Sequence, residues 1–422
     1  MTINGIWEWA GRSAEKVPME ALRGKTLTID GHIWLYESVK GCEAHHQTHK
    51  NTYLVTFFKR IQRLKELQIT PIVVFDHIST KTKQSSFAGS FVARKRRVFV
   101  DSHFTNLADH VYNVQCLVKS LGVRVIIAPG DGEAQCALLE QRGFSAGCIT
   151  SDFDYFLFGG KNLYRFEFGT SSTVARVTGV SHLAMGKMWL EKRLTRQQLI
   201  AAAILLGCDY YEKGVSGIGI ARVFEVLAEF GENDVDDCVP PDALVILDRF
   251  YAYATHETPE RPGDSLLKLH IRRRGYQFPV GFPSSDDVIN AVRMYQKPEV
   301  YDGESSVPLV VEMRKAEEIL VKLCGWTPER MNKEVTTSRK RAQNLTNSVT
   351  QTRIPDFFAA TKKKRVSPIT EPCSSLDDYI SAQTKWVDKR NQSSATSRSS
   401  RIDRNKSSNE NQYKLNEQTD TD

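Results

Sequence analysis

The chain has 422 residues, 41% of them apolar and 25% charged, and a formal net charge of +7, so its length allows a large core and two or three domains. Its longest apolar stretch, Leu199 to Cys208, is about half the roughly 20 residues a membrane helix needs, and MTINGIWEWAG lacks the basic stretch and apolar run of a signal peptide. Neither a membrane span nor a secretory leader is expected. Eight cysteines without CxxC pairs, several in apolar surroundings such as AGCIT and LLGCD, argue against a disulfide framework and for buried thiols in a reducing compartment. Most of the surplus positive charge lies beyond residue 333, which leaves the rest of the chain close to neutral. A near-neutral body that binds nucleic acid must gather its acids in one place and its bases in another.

In chain order, KTLTID (25–30), TPIVVFD (70–76), VRVIIAP (123–129) and SAGCITSD (145–152) read as buried strands, rich in β-branched residues and bounded by turns. Apolar residues at helical spacing predict helices over 52–67, 104–121 and 132–142. This alternation predicts an α/β fold, a central, mainly parallel twisted sheet covered by helices on both faces. Ligands of such sheets collect at the carboxyl ends of the strands. Residues 79–103 break the rhythm, first polar and then strongly basic in FVARKRRVFVD. Residues 195–230 read as helices around the glycine turn GVSGIG, and 231–332 as a mostly helical continuation. From 333 to 422 the chain is rich in Ser, Thr, Asn, Lys and Arg, which predicts a disordered basic tail. The expected divisions are 1–100, 101–230, 231–332 and 333–422.

Seven acids fall where a parallel sheet would bring them to one edge: Asp30, Asp76, Asp131, Glu133, Asp152, Asp154 and Asp209. Any one of them reads equally well as an N-cap. Seven together would repel one another and raise each other's pKa unless cations neutralise them. Hard carboxylate oxygens suit Mg2+ or Mn2+. Two such ions about 3.5–4 Å apart would clamp the attacking and leaving oxygens of a phosphoryl transfer, with no protein nucleophile.

IDGHIWLYES, VVFD, APGDGEAQCALL, ITSDFDYFLFGG and AILLGCDYYEKGVSGIGIARVFEVL resemble the successive motifs of the flap endonuclease superfamily of 5′ nucleases. In spelling they are most similar to the branch of the Holliday-junction resolvase GEN, through NGIW, the Cys in LLGCDY and the KGV before the glycine turn. The resemblance covers roughly residues 1–330. It implies a structure-selective DNA endonuclease of repair and recombination, with two Mg2+ per active site and Mn2+ as a substitute. The seven acids would be the metal ligands and their neighbours, with Asp131 standing where the family usually has Glu. It also implies that Arg94, Lys95, Arg96 and Arg97 belong to a helical arch over the active site. Gly214, Gly217 and Gly219 would form the turn of a helix-hairpin-helix that approaches DNA phosphates and takes a K+ ion.

In the tail, Gln351, Ile354, Phe357 and Phe358 match the peptide that docks on the sliding clamp (PCNA), Q-x-x-aliphatic-x-x-aromatic-aromatic. KKKRV (362–366) reads as a nuclear localisation signal or as non-specific DNA affinity. The expected partners are therefore four-way junctions, 5′ flaps and forks, the clamp, and a second copy of the chain on a junction. A replicative flap endonuclease would share this fold and chemistry. A catalytically idle scaffold would have no reason to retain the acids.

Overall fold

Seven strands lie among the described residues, those from β2 to β5 built on short β-branched runs: β1 (Glu15–Val17), β2 (Thr26–Asp30), β3 (Thr70–Phe75), β4 (Arg124–Ile127), β5 (Cys148–Ile149), β6 (Asn162–Phe168) and β7 (Val177–Ala184). The computed structural model describes residues 6–44, 51–76, 107–168, 177–232, 241–302 and 310–350. The strands form one sheet in the order β1-β7-β6-β5-β2-β3-β4. Five of them, β4, β3, β2, β5 and β6, run parallel. Their carboxyl ends therefore share one edge. The chain moves outward from β2 to β3 and β4, then returns to the other side of β2 with β5. That reversal beside β2 opens the crevice in which open α/β sheets bind ligands.

The helices, in chain order, are α1 (Ile6–Ala10), α2 (Gly31–Ala44), α3 (Thr52–Glu66), α4 (Leu107–Ser120), α5 (Gly132–Gln141), α6 (Asp154–Leu157) and α7 (Met185–Lys192). They continue as α8 (Arg196–Leu206), α9 (Ile220–Phe230), α10 (Ala243–Ala254), α11 (Leu266–Arg273), α12 (Asp286–Gln296), α13 (Met313–Cys324) and α14 (Pro328–Thr350). They cover both faces, and β3 shows why. Ile72 and Val74 belong to the core under α5, α8, α9, α10 and α12, whereas Val73 and Phe75 face α2, α3, α4 and α13. Alternation with period two thus feeds two cores from one strand. In α3 the predicted stripe Tyr53, Leu54, Phe57, Phe58, Ile61 and Leu64 is buried throughout, each side chain contributing roughly 1.5–3 kcal/mol at most. Helix α8 is buried on every side from Leu199 to Leu205. It starts at a capping box, in which the Thr195 hydroxyl accepts from the Gln198 N–H and the Gln198 side chain accepts from the Thr195 N–H.

The structure departs from the sequence reading in two places. The sheet is extended by an antiparallel pair, β6 with β7, and by β1 on the far side of β7. In β6, Leu163 enters one core while Tyr164 and Phe166 enter the other, a pattern masked in sequence by the aromatic run just before it. Second, the polar segment from 333 is helical as far as Thr350 within α14. Met331 is buried, the Ser338 hydroxyl donates to the Gln62 side-chain Oε1 at 3.4 Å, and Arg341 lies 3.7 Å from Glu66. Docking on α3 replaces the apolar stripe that α14 lacks. The chain divides into two units, Met1–Glu232 with Pro240–Arg353, and Asn233–Val239 with Ile354–Asp422; the described residues belong to the first.

One glycine holds the short strand that leads to Asp152 and Asp154. Gly147 has φ +143°, and its carbonyl accepts from both the N–H and the hydroxyl of Thr28. A methyl there would run into the Asn162 carbonyl oxygen. Gly147→Ala is therefore expected to cost roughly 3 kcal/mol or more, read as a shifted urea midpoint at constant slope. A midpoint within error of the parent would contradict this account of β5.

Candidate active site

Asp30 ends β2 and is 1% exposed. Its Oδ1 accepts from the Ile33 N–H at 3.0 Å, capping the first turn of α2, while its Oδ2 accepts from the Thr150 hydroxyl at 3.2 Å. The N-cap reading thus holds for one oxygen of Asp30. It fails at Asp131, the residue before α5, whose side chain caps nothing in its own helix. Asp76, just beyond β3, supplies that cap instead: its Oδ1 accepts from the Gly132 N–H at 2.7 Å. The Asp131 carboxylate instead lies beside those of Asp76 and Glu133. Ligand oxygens of Asp76, Asp131 and Glu133 lie within 4.8 Å of one another, and Glu133 is 2% exposed. Three carboxylates at that separation can hold a divalent cation.

The Asp76 backbone N–H donates to His32 Nδ1 at 3.1 Å, and Asp76 Oδ2 lies 3.5 Å from the same nitrogen. A nitrogen that accepts the N–H carries a lone pair, so His32 is neutral here and the 3.5 Å approach is not an ion pair.

A second group follows β5. Asp152 is buried; its N–H donates to the Thr150 hydroxyl at 3.0 Å, and its Oδ1 accepts from the Asp154 N–H at 3.1 Å. Thr150 thereby links Asp30 to Asp152. Asp154, at the start of α6, is also buried, and its Oδ1 has no hydrogen-bond partner. Burial, then the charges of Asp152 and Asp209, push its carboxyl well above the usual range. An orphaned, desolvated carboxylate oxygen beside two further acids fits the donor chemistry of a divalent-cation ligand. Asp209 is half-buried, beyond the close of α8 at Gly207. Helices α2, α5 and α6 all begin at this edge, so their positive ends offset part of the repulsion.

All seven predicted acids are therefore at one edge. Thr150, Tyr210 and Tyr295 were not singled out from sequence, although each touches an acid. The Tyr210 hydroxyl donates to Asp131 Oδ2, and the Tyr295 hydroxyl donates to Asp154 Oδ2 at 3.0 Å. Thr150 and Tyr210 lie within the acidic motifs, but Tyr295, on α12, is far along the chain. Of the three glycines, Gly214 is buried with φ +55°, and a methyl there would stand 3.0 Å from Gly207 and Leu205 backbone atoms. Its need is steric. Gly217 (φ +92°) and Gly219, just before α9, are exposed. Arg94, Lys95, Arg96 and Arg97, and Gln351, Ile354, Phe357 and Phe358, lie outside the described residues. Among the described residues Cys136, Cys148 and Cys208 are buried free thiols, as expected, while Cys116 and Cys324 are half-buried. No helix among the described residues is long and apolar enough to cross a membrane.

Two family profiles match: the XPG N-terminal domain over residues 1–97 and the XPG I-region over 122–209. All seven acids lie within these spans. Flap endonuclease GEN homolog 1 of Homo sapiens is 29% identical over 244 residues, covering 54% of this chain and 25% of that protein. DNA damage-inducible protein DIN7 of Saccharomyces cerevisiae is 26% identical over 251 residues, covering 55% of this chain and 58% of that protein. The chain thus spans about a quarter of the human relative it matches. The catalytic core of Rad2, solved in complex with DNA substrate, aligns with a TM-score of 0.61 and 26% identity over 80% of this chain and 99% of that one. Human GEN1, solved in complex with Holliday junction DNA, shares the fold, with a TM-score of 0.56 and 18% identity over 83% of this chain and 81% of that one. The chain thus matches the XPG N-terminal domain and the XPG I-region, and in sequence and fold it is similar to 5′ nucleases such as flap endonuclease GEN and the Rad2 catalytic core.

Proposed function

We propose that this chain is a structure-selective DNA endonuclease that uses divalent metal ions to hydrolyse phosphodiesters at four-way (Holliday) junctions and 5′ flaps, in DNA repair and recombination. The observation that carries this reading is the edge of seven carboxylates, with the buried oxygen of Asp154 left unpartnered. A GEN1 of the same fold, 20% identical, was solved with product DNA and Mg2+. Here Asp76, Asp131 and Glu133 would hold one cation, and Asp30, Asp152, Asp154 and Asp209 a second. Bound there, Mg2+, or Mn2+ in its place, lowers the pKa of a water and offsets charge on the scissile phosphate. Neutral His32 and Thr150 keep Asp76 and Asp30 aimed without competing for the phosphate.

Gly217 and Gly219 allow a DNA phosphate to approach the first N–H groups of α9, with K+ as the ion of that turn. Arg94, Lys95, Arg96 and Arg97, outside the described residues, supply the positive charge that would steer a phosphate to the metals. Each chain has one such site, so resolving a junction takes two copies assembled on it. Gln351, Ile354, Phe357 and Phe358 dock on the sliding clamp (PCNA), and KKKRV directs the chain to the nucleus. Phe357→Ala with Phe358→Ala is expected to abolish clamp capture while cleavage of naked DNA is unchanged; a pulldown in which the double variant keeps the clamp removes that claim.

The test is to incubate purified protein and Mg2+ with flap, fork, four-way junction and linear duplex, mapping every incision with and without chelator. Incisions at branch points that vanish on chelation are expected. Equal cutting of linear duplex, or cutting that survives chelation, would overturn the reading.

A further inference from the structure

The helices beyond residue 209 lie outside both XPG profile matches, yet one of them reaches into the carboxylate cluster. We propose that Tyr295, assisted by Tyr210, is a positioning residue for metal binding: its hydroxyl pins one oxygen of Asp154 and leaves the other for a cation. The proposal rests on the metal-dependent reading of the site.

Tyr295 is wholly buried, and its hydroxyl donates to Asp154 Oδ2 at 3.0 Å. Asp154 Oδ1, by contrast, is buried without a partner. A carboxyl bonded on one oxygen by a neutral donor is held in a fixed rotamer without being paired to a cationic side chain, the role that hydrogen-bonding partners play behind metal ligands generally. Tyr210 repeats the arrangement, donating from a buried hydroxyl to Asp131 Oδ2. The two rings meet edge to face, 4.9 Å between centroids, and Phe158 packs 5.2 Å from Tyr295. An aromatic pair thus carries both hydroxyls, one to each group of acids.

The backbone is held as well. Arg196 donates through Nε to the Leu157 carbonyl at 2.7 Å and through one terminal nitrogen to the Tyr295 carbonyl at 2.7 Å. One guanidinium therefore ties the end of α6, which begins with Asp154, to the helix that carries Tyr295. At the other end of α12, Asp287 lies 3.4 Å from Lys213, one residue before the glycine turn. The C-terminal helices thereby contribute to the metal site as well as to the core. Tyr210 follows Asp209 directly, so its placement is inherited from a motif. Tyr295 is placed only by the fold.

The test is Tyr295→Phe, which removes one oxygen and keeps the ring. Binding of Mn2+ is measured by loss of the free-ion paramagnetic resonance signal, and thermal unfolding is followed with and without Mg2+. We expect the Mn2+ dissociation constant to rise about 10- to 100-fold, with the metal-free unfolding temperature close to that of the parent. The stabilisation that Mg2+ gives should shrink in parallel, and Tyr295→Trp should not restore it. Unchanged Mn2+ affinity would overturn the proposal, as would a lowered metal-free unfolding temperature with normal affinity, which marks a purely structural tyrosine. Lack of Mn2+ binding by the parent would also overturn it. If the parent binds Mn2+ and Tyr295→Phe weakens it while no branched DNA is cut, the positioning role stands and the nuclease reading falls.

Discussion

Glu133→Gln or Asp30→Asn is expected to lower the single-turnover rate on branched DNA by on the order of 10²–10³-fold, with affinity for that DNA nearly unchanged. Both substitutions keep the shape of the side chain and remove its charge. Asn at 30 can still accept from the Ile33 N–H, and Gln at 133 still fits its buried place in the first turn of α5. What is lost is a hard anionic ligand, which acts on the cation and not on the DNA backbone. The same reasoning predicts that metal-free variants unfold no earlier than the parent, since each relieves like-charge repulsion in a desolvated cluster. Loss of DNA binding equal to the loss of cutting, in a variant that remains folded, would show that these acids support the DNA interface instead.

Replacing Arg94, Lys95, Arg96 and Arg97 together with Gln should slow cleavage at saturating protein by about 10²-fold and weaken binding less. On the proposed role of these residues, four cationic groups would stabilise charge that grows on the phosphate in the transition state, so their removal would act mainly on the rate. Some affinity is lost too, because each phosphate contact contributes to salt-dependent binding, and the salt slope should flatten accordingly. Unchanged single-turnover rates on a saturating flap substrate would remove these residues from the active site.

The sequence carried the sheet edge well because Asp30, Asp76 and Asp152 each follow a β-branched run, and parallel strands converge their carboxyl ends. It also carried the α3 stripe, where six apolar residues at helical spacing are all buried. It could not separate capping from ligation. That depended on Asp76 capping α5 from a different strand, so that the Asp131 side chain does not cap its own helix. It gave no sign of Tyr295, whose contact with Asp154 spans 141 residues and has no local pattern behind it. The helix α14 was hidden for a related reason: its packing on α3 through Met331, Ser338 and Arg341 is tertiary, and its own composition reads as a polar tail. The antiparallel β7 was lost because one of its partners, β1, is only three residues long.

On the proposed function, two copies, each with one carboxylate-lined site, are expected to make paired incisions at a four-way junction. A supercoiled plasmid that extrudes a cruciform tests it most directly, since two cuts within one binding event give linear DNA. With saturating protein and Mg2+, linear product is expected from the first time points, with symmetrically placed ends that a ligase can reseal. Nicked circles as the main product, or plasmid that stays supercoiled, would contradict it.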